Sequence, residues 1–173
     1  MAVQRALNGA IAGGVAAAVW AAQQPLDKRV FRYDYDDVEF LGKLVTTSPA
    51  WPAVGVALHV QNGMTFGAAY ASLRPLLPGP PVAWGFLAAM VEHAATWPLG
   101  RVADRYHPAR GNLTPIGSSR RSLAQATWRH ALFGLVTGLI EARLNDRSAD
   151  EPPPVPVESN GHGSIEQAAA AAR

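Results

Sequence analysis

Charge divides this chain into four weakly polar blocks separated by polar connections. No formally charged residue stands between Arg5 and Asp27, or between Lys43 and Arg74. A third block, 75–100, is broken only by Glu92 and His93, and the shortest runs over 130–140. Trp20, Trp51, Trp84, Trp97 and Trp128 fall towards the block margins, where an amphipathic indole sits at a membrane–water interface. A bilayer core of about 30 Å takes roughly 20 helical residues. The pattern therefore predicts an all-α, four-helix transmembrane bundle.

Proline and glycine set the expected boundaries. The first helix covers 6–26 and stops at Pro25–Leu26–Asp27. The second opens after Ser48–Pro49 and runs over 51–77, to a turn at Pro78–Gly79–Pro80–Pro81. The third covers 82–103, with Pro98 loosening its last turns. The fourth begins at Ser118 or Ser119 and reaches Leu144. Residues 1–145 thus form one integral-membrane domain. Residues 146–173 form a disordered tail, in which Ser164 and Gln167 have capping-box spacing before an alanine run too short to hold a helix alone. The first segment is read as a retained helix rather than a cleaved signal, because Asn8, Gly9, Gly13 and Gly14 interrupt its apolar part.

Small residues recur every fourth position, which keeps them on one helical face. Gly9 and Gly13 do so in the first helix, Gly55, Gly63 and Gly67 in the second, Gly85 in the third, and Gly134 and Gly138 in the fourth. In lipid such GxxxG-like stripes let helix backbones approach closely, within one chain or between copies or other membrane proteins. His59, His93 and His130 share the register of these stripes, which turns all three towards the bundle interior. His59 follows Trp51, and His93 precedes Arg101, by about eight residues, roughly 12 Å of helix. Asn62, Glu92 and Arg129 lie at neighbouring positions. One intramembrane polar cluster of His59, Asn62, Glu92, His93, Arg129 and His130 follows, with Glu92 in reach of Arg129 or His130.

Ionisable groups at such depth are costly and invite a functional reading. The bland account has them hydrogen-bonding across helices to fix register. The sharper ones are proton or ion relay, a metal site, or a b-type haem between two histidines. No spacing signature selects a metal or haem, so no cofactor is expected.

Composition adjusts this picture little. Charged residues make up 16% of the 173-residue chain, below the roughly 25% of soluble proteins. Mean hydropathy is only +0.02, which keeps a soluble alanine-rich bundle as the alternative. The chain has no cysteine, and its net charge of +2 is dispersed, which argues against nucleic-acid binding. Basic residues concentrate in 27–50 and 101–120. The positive-inside rule places both loops in the cytoplasm and the bundle in the plasma (inner) membrane. Within the first loop, Asp34, Asp36, Asp37 and Glu39 with Tyr33, Tyr35 and Phe40 read as a segment lying on the membrane surface. It lacks the glycine and terminal glutamate of an EF-hand loop.

The segments Asn8–Gly9–Ala10–Ile11–Ala12–Gly13, Gln23–Gln24–Pro25–Leu26–Asp27–Lys28, Ala57–Leu58–His59 with Asn62–Gly63, Glu92–His93 with Trp97–Pro98, and Trp128–Arg129–His130 carry a resemblance. Over 6–145 the chain resembles small, functionally unassigned multi-pass membrane proteins of high-GC bacteria. The resemblance implies a membrane bundle and no particular activity. The expected role is a non-enzymatic structural or accessory membrane component, with a redox or proton-handling protein as the alternative.

Overall fold

A computed structural model describes residues 2–117 and 119–146. The tail expected beyond Asn145 lies outside these residues, apart from Asp146, as does Ser118. Among the described residues the chain is all-α. Its helices are α1 (Ala2–Phe31), α2 (Asp37–Val45), α3 (Trp51–Leu73), α4 (Pro81–Thr96), α5 (Leu99–Tyr106) and α6 (Arg120–Asp146), with 3₁₀ turns at 74–76 and 110–112. The four long helices pack in the order α3–α1–α6–α4, so that α1 and α6 are central. The short α2 lies on α3. Among the described residues one helix, α1, is by length and composition long and apolar enough to cross a membrane.

Three boundaries differ from expectation. Helix α1 runs through Pro25 and ends five residues beyond the expected stop, at Phe31. A proline forfeits one hydrogen bond and adds a ring clash. The turns beyond it are secured by side-chain bonds of Asp27 and Lys28 to later parts of the chain. The true stop is Arg32, left-handed at φ 51°, with the Tyr33 amide donating to the Lys28 carbonyl over 3.2 Å in a Schellman-type cap. The third segment is not one helix over 82–103. It breaks at Trp97–Pro98 into α4 and α5, because a proline amide cannot continue the ladder. The acidic segment read as lying on the membrane surface contributes α2, making six helices rather than four.

Helix α2 begins where Asp36 accepts the Glu39 amide at 2.9 Å, an N-cap. Burial alone would raise the Asp36 pKa. The hydrogen bond from Lys28 (2.8 Å) and the Glu39 amide outweigh it and hold the carboxyl below its usual value.

The small-residue stripes form the seams between helices. A Cβ at Gly13 would sit inside the Gly63 carbonyl oxygen, and one at Gly9 inside that of Gly67, along the α1–α3 seam. On the α4–α6 seam a Cβ at Gly85 would lie 2.6 Å from the Gly134 carbonyl oxygen, and one at Gly138 2.8 Å from the Val82 Cα. Gly55 packs on the Val38 carbonyl of α2. All eight glycines are therefore occupied within the chain. The turn after α3 needs Gly79 for a different reason, its φ of +91°.

The distribution of polarity is inverted relative to a soluble bundle. The largest fully buried side chains are Arg129, Gln125, Glu141, Thr137, Asp27 and Ser122. The apolar cluster between the helices is small, built on Ala16, Ala17, Trp20, Ala89 and Phe133. Large apolar side chains point outward instead. On α1 these are Leu7, Ile11, Val15 and Val19, one per turn.

Candidate functional site

Two polar assemblies lie side by side at the end of the bundle where the two basic loops meet. The loops touch directly: Tyr33 donates its hydroxyl to the Pro115 carbonyl, and the His107 Nε2 lies 3.0 Å from the Phe40 carbonyl.

The first assembly centres on Arg129, which is fully buried. Its Nε and Nη2 donate to the two carboxylate oxygens of Asp27 at 2.6 Å each, a bidentate fork. Nη1 donates to Asp37 at 2.5 Å, and Nη2 also reaches the Tyr35 carbonyl at 3.0 Å. One cation thus faces two carboxylates. Neutral donors complete the balance: Trp20 Nε1 (2.9 Å) and the Tyr35 hydroxyl (2.7 Å) on Asp37, and the side-chain amides of Gln125 (2.7 Å) and Gln23 (2.6 Å) on Asp27. Burial, reinforced by the Asp37 charge, pushes the Tyr35 phenol well above its usual value, so it stays protonated and donates. The network joins α1, the 32–36 connection, α2 and α6.

Sequence reasoning assigned Arg129 to the histidine cluster and missed Asp27 and Asp37. Glu92 pairs with His130 and not with Arg129, because Arg129 faces α1 and the 32–37 segment. The acidic segment read as lying on the membrane surface turns two of its residues inward instead. Asp37 and Tyr35 point at Arg129.

The second assembly surrounds a cavity of about 410 Å³. It occupies the gap between α3 and α4, which hardly touch, and has α1 and α6 behind it. Five of the six residues expected to cluster line it: His59, Asn62, Glu92, His93 and His130. Trp20, Phe66, Trp97 and Phe133 supply aromatic walls, and Phe40 of α2 and Ala103 of α5 border the mouth nearest the loops. Arg129 is not among the lining residues.

Hydrogen-bond chemistry fixes the histidine protons. His59 Nε2 sits 3.1 Å from the Ala17 carbonyl, which can only accept, so Nε2 carries a hydrogen and Nδ1 of the neutral ring keeps a lone pair. Thr127 donates its own hydroxyl to the Leu123 carbonyl (2.7 Å) and therefore accepts from His93 Nε2 at 3.0 Å. His130 Nδ1 donates to the Ala126 carbonyl at 2.7 Å, while its Nε2 meets the Glu92 carboxyl at 3.0 Å. That contact is an ion pair when the imidazole is protonated. The His93 and His130 rings are 4.5 Å apart, and Trp20 meets His59 and His130 edge-on at 5.2 and 4.8 Å. Among the described residues no group of three or more His, Asp or Glu side chains is placed to hold one metal ion.

A third polar group marks the opposite end. Glu141 accepts from Asn145 (2.8 Å) and lies 3.9 Å from Arg5, and Asn8 donates to Asn145 (2.9 Å). It ties the two central helices together there.

Comparison with family models, with curated proteins and with solved structures finds no match for this chain.

Proposed function

We propose that this chain is a small multi-pass integral-membrane protein whose four long helices cross the plasma (inner) membrane, and that it serves there as a non-enzymatic structural or accessory component. The inversion of polarity carries the reading. Water would favour burial of Leu7, Ile11, Val15, Val19, Leu135 and Leu139, yet these face outward while arginine, glutamate and aspartate are enclosed. Lipid reverses that preference, because apolar side chains then face hydrocarbon and every enclosed charge needs a protein partner. Averaged over a whole helix, hydropathy hides this for α3 and α6, whose inward faces carry glycine and polar side chains, and α4 falls short by length. Helix α4, with 16 residues, measures about 24 Å. Its mismatch with the bilayer is relieved by local thinning.

The contact between His130 and Glu92 at the cavity favours a second reading, proton or ion handling. The experiment that tests the primary one is fractionation of the expressed protein followed by alkaline carbonate washing of the membranes. The expected result is retention in the washed pellet. Release into the supernatant would make the bundle a peripheral or soluble one.

A further inference from the structure

We infer that the 410 Å³ cavity is a binding site for a small organic ammonium ion, held against Glu92 within aromatic walls. The volume falls within the roughly 300–1,000 Å³ of small-molecule sites. Charge selects the class of ligand. The loops around this end are rich in arginine, yet among the described residues the cavity lining contains two carboxylates, Asp37 and Glu92, and no lysine or arginine. Asp37 is saturated by Arg129, Trp20 and Tyr35. Among the described residues the Glu92 carboxyl meets His130 alone, and its side chain remains 43% exposed.

Hydrogen-bond polarity points the same way. His59 and His93 each commit the ring N–H to the protein, to Ala17 and Thr127, and each retains Nδ1 as an acceptor. A guest meeting these groups has to donate. Trp20, Trp97, Phe66 and Phe133 line the cavity, and aromatic rings attract organic cations through their faces. A primary ammonium on a short aromatic or aliphatic body meets each requirement: three donors, one positive charge and an apolar remainder.

The charged and titratable groups around Glu92 and His130 are His93, stacked on His130, His59 and Asp37 across Trp20, Tyr35 beside Asp37, and Arg129, already paired with Asp27 and Asp37.

The test uses detergent-purified full-length protein and the tryptophan fluorescence of Trp20 and Trp97. The probes are 2-phenylethylammonium, neutral 2-phenylethanol and anionic phenylacetate. Saturable quenching by the amine, about tenfold or more tighter than by the alcohol, is expected, with phenylacetate weakest. Glu92→Gln keeps a hydrogen-bonding partner for His130, and it is expected to retain the wild-type melting temperature while binding amine and alcohol alike. Quenching that does not saturate, equal binding of amine and alcohol by wild-type protein, or unchanged amine preference in a folded Glu92→Gln variant overturns the proposal. The wild-type probe series decides the question by itself if the variant does not fold. The inference goes beyond the membrane reading, and its failure would leave the carbonate result as it stands.

Discussion

Arg129→Met is expected to cost about 3–5 kcal/mol of stability, the largest loss from any single replacement of a polar side chain in the chain. The guanidinium is fully buried and makes four hydrogen bonds to Asp27, Asp37 and the Tyr35 carbonyl. Methionine fills much of the space but leaves two carboxylates enclosed without a cation. That uncompensated charge, and not the loss of attraction as such, sets the magnitude. Adding Asp27→Asn to Arg129→Met removes one orphaned charge and is expected to restore part of the loss, a non-additivity that identifies direct coupling. Arg129→Lys is expected to remain destabilised, since an ammonium cannot span both Asp27 oxygens and Asp37 in the planar fork. Denaturant or thermal unfolding in detergent, followed by circular dichroism, measures all three. A loss under about 1 kcal/mol for Arg129→Met would mean that the side chain is solvated, contrary to its enclosed position.

Gly13→Leu is expected to prevent assembly of the bundle. The Cβ would overlap the Gly63 carbonyl oxygen, and the next nearest atoms are backbone atoms of Gly63 and Gly67. No side chain can rotate away, so α1 and α3 would have to part along their whole seam. Overpacking costs about 1–3 kcal/mol where neighbours can yield, and more is expected where they are main chain. The loss also removes close backbone contact, which holds helices together in lipid. Size-exclusion chromatography of the detergent extract should show aggregate in place of a single symmetric species. Gly111→Ala, in open space, should stay within about 0.5 kcal/mol of the parent. A monodisperse Gly13→Leu protein with unchanged melting would place the α1–α3 contact elsewhere.

How much of this was legible in the sequence depended on whether a feature was local. Four-residue periodicity placed the glycines and histidines on common faces, since a helix fixes those faces by geometry alone. The same periodicity turned His59, His93 and His130 towards one cavity, with Asn62 and Glu92 at neighbouring positions, without indicating that a cavity was there. The Arg129 network was not legible. Arg129 and Asp27 are 102 positions apart, and between weakly polar blocks a charge reads as an interface marker. Helix α2 was hidden for a related reason: its acidic residues resemble solvent-facing loop, whereas Asp36 caps the helix and Asp37 turns inward. Helix α1 passes through Pro25 because tertiary bonds beyond the proline outweigh a local penalty. Hydropathy averages, for their part, cannot separate the outward apolar face of α6 from an inward one carrying Gln125, Arg129 and Glu141.

The central claim is that four helices, and not α1 alone, cross the membrane. The chain contains no cysteine, so single cysteines report without background. Thr47→Cys and Gly111→Cys mark the two basic loops, and Leu76→Cys marks the turn between α3 and α4, all at exposed positions. Each variant is treated with a membrane-impermeant maleimide in intact spheroplasts and again after lysis. Four crossings with the basic loops in the cytoplasm require labelling of position 76 in intact spheroplasts, and of positions 47 and 111 only after lysis. Identical behaviour at all three positions would contradict the account, since everything after α1 would then lie on one side of the membrane.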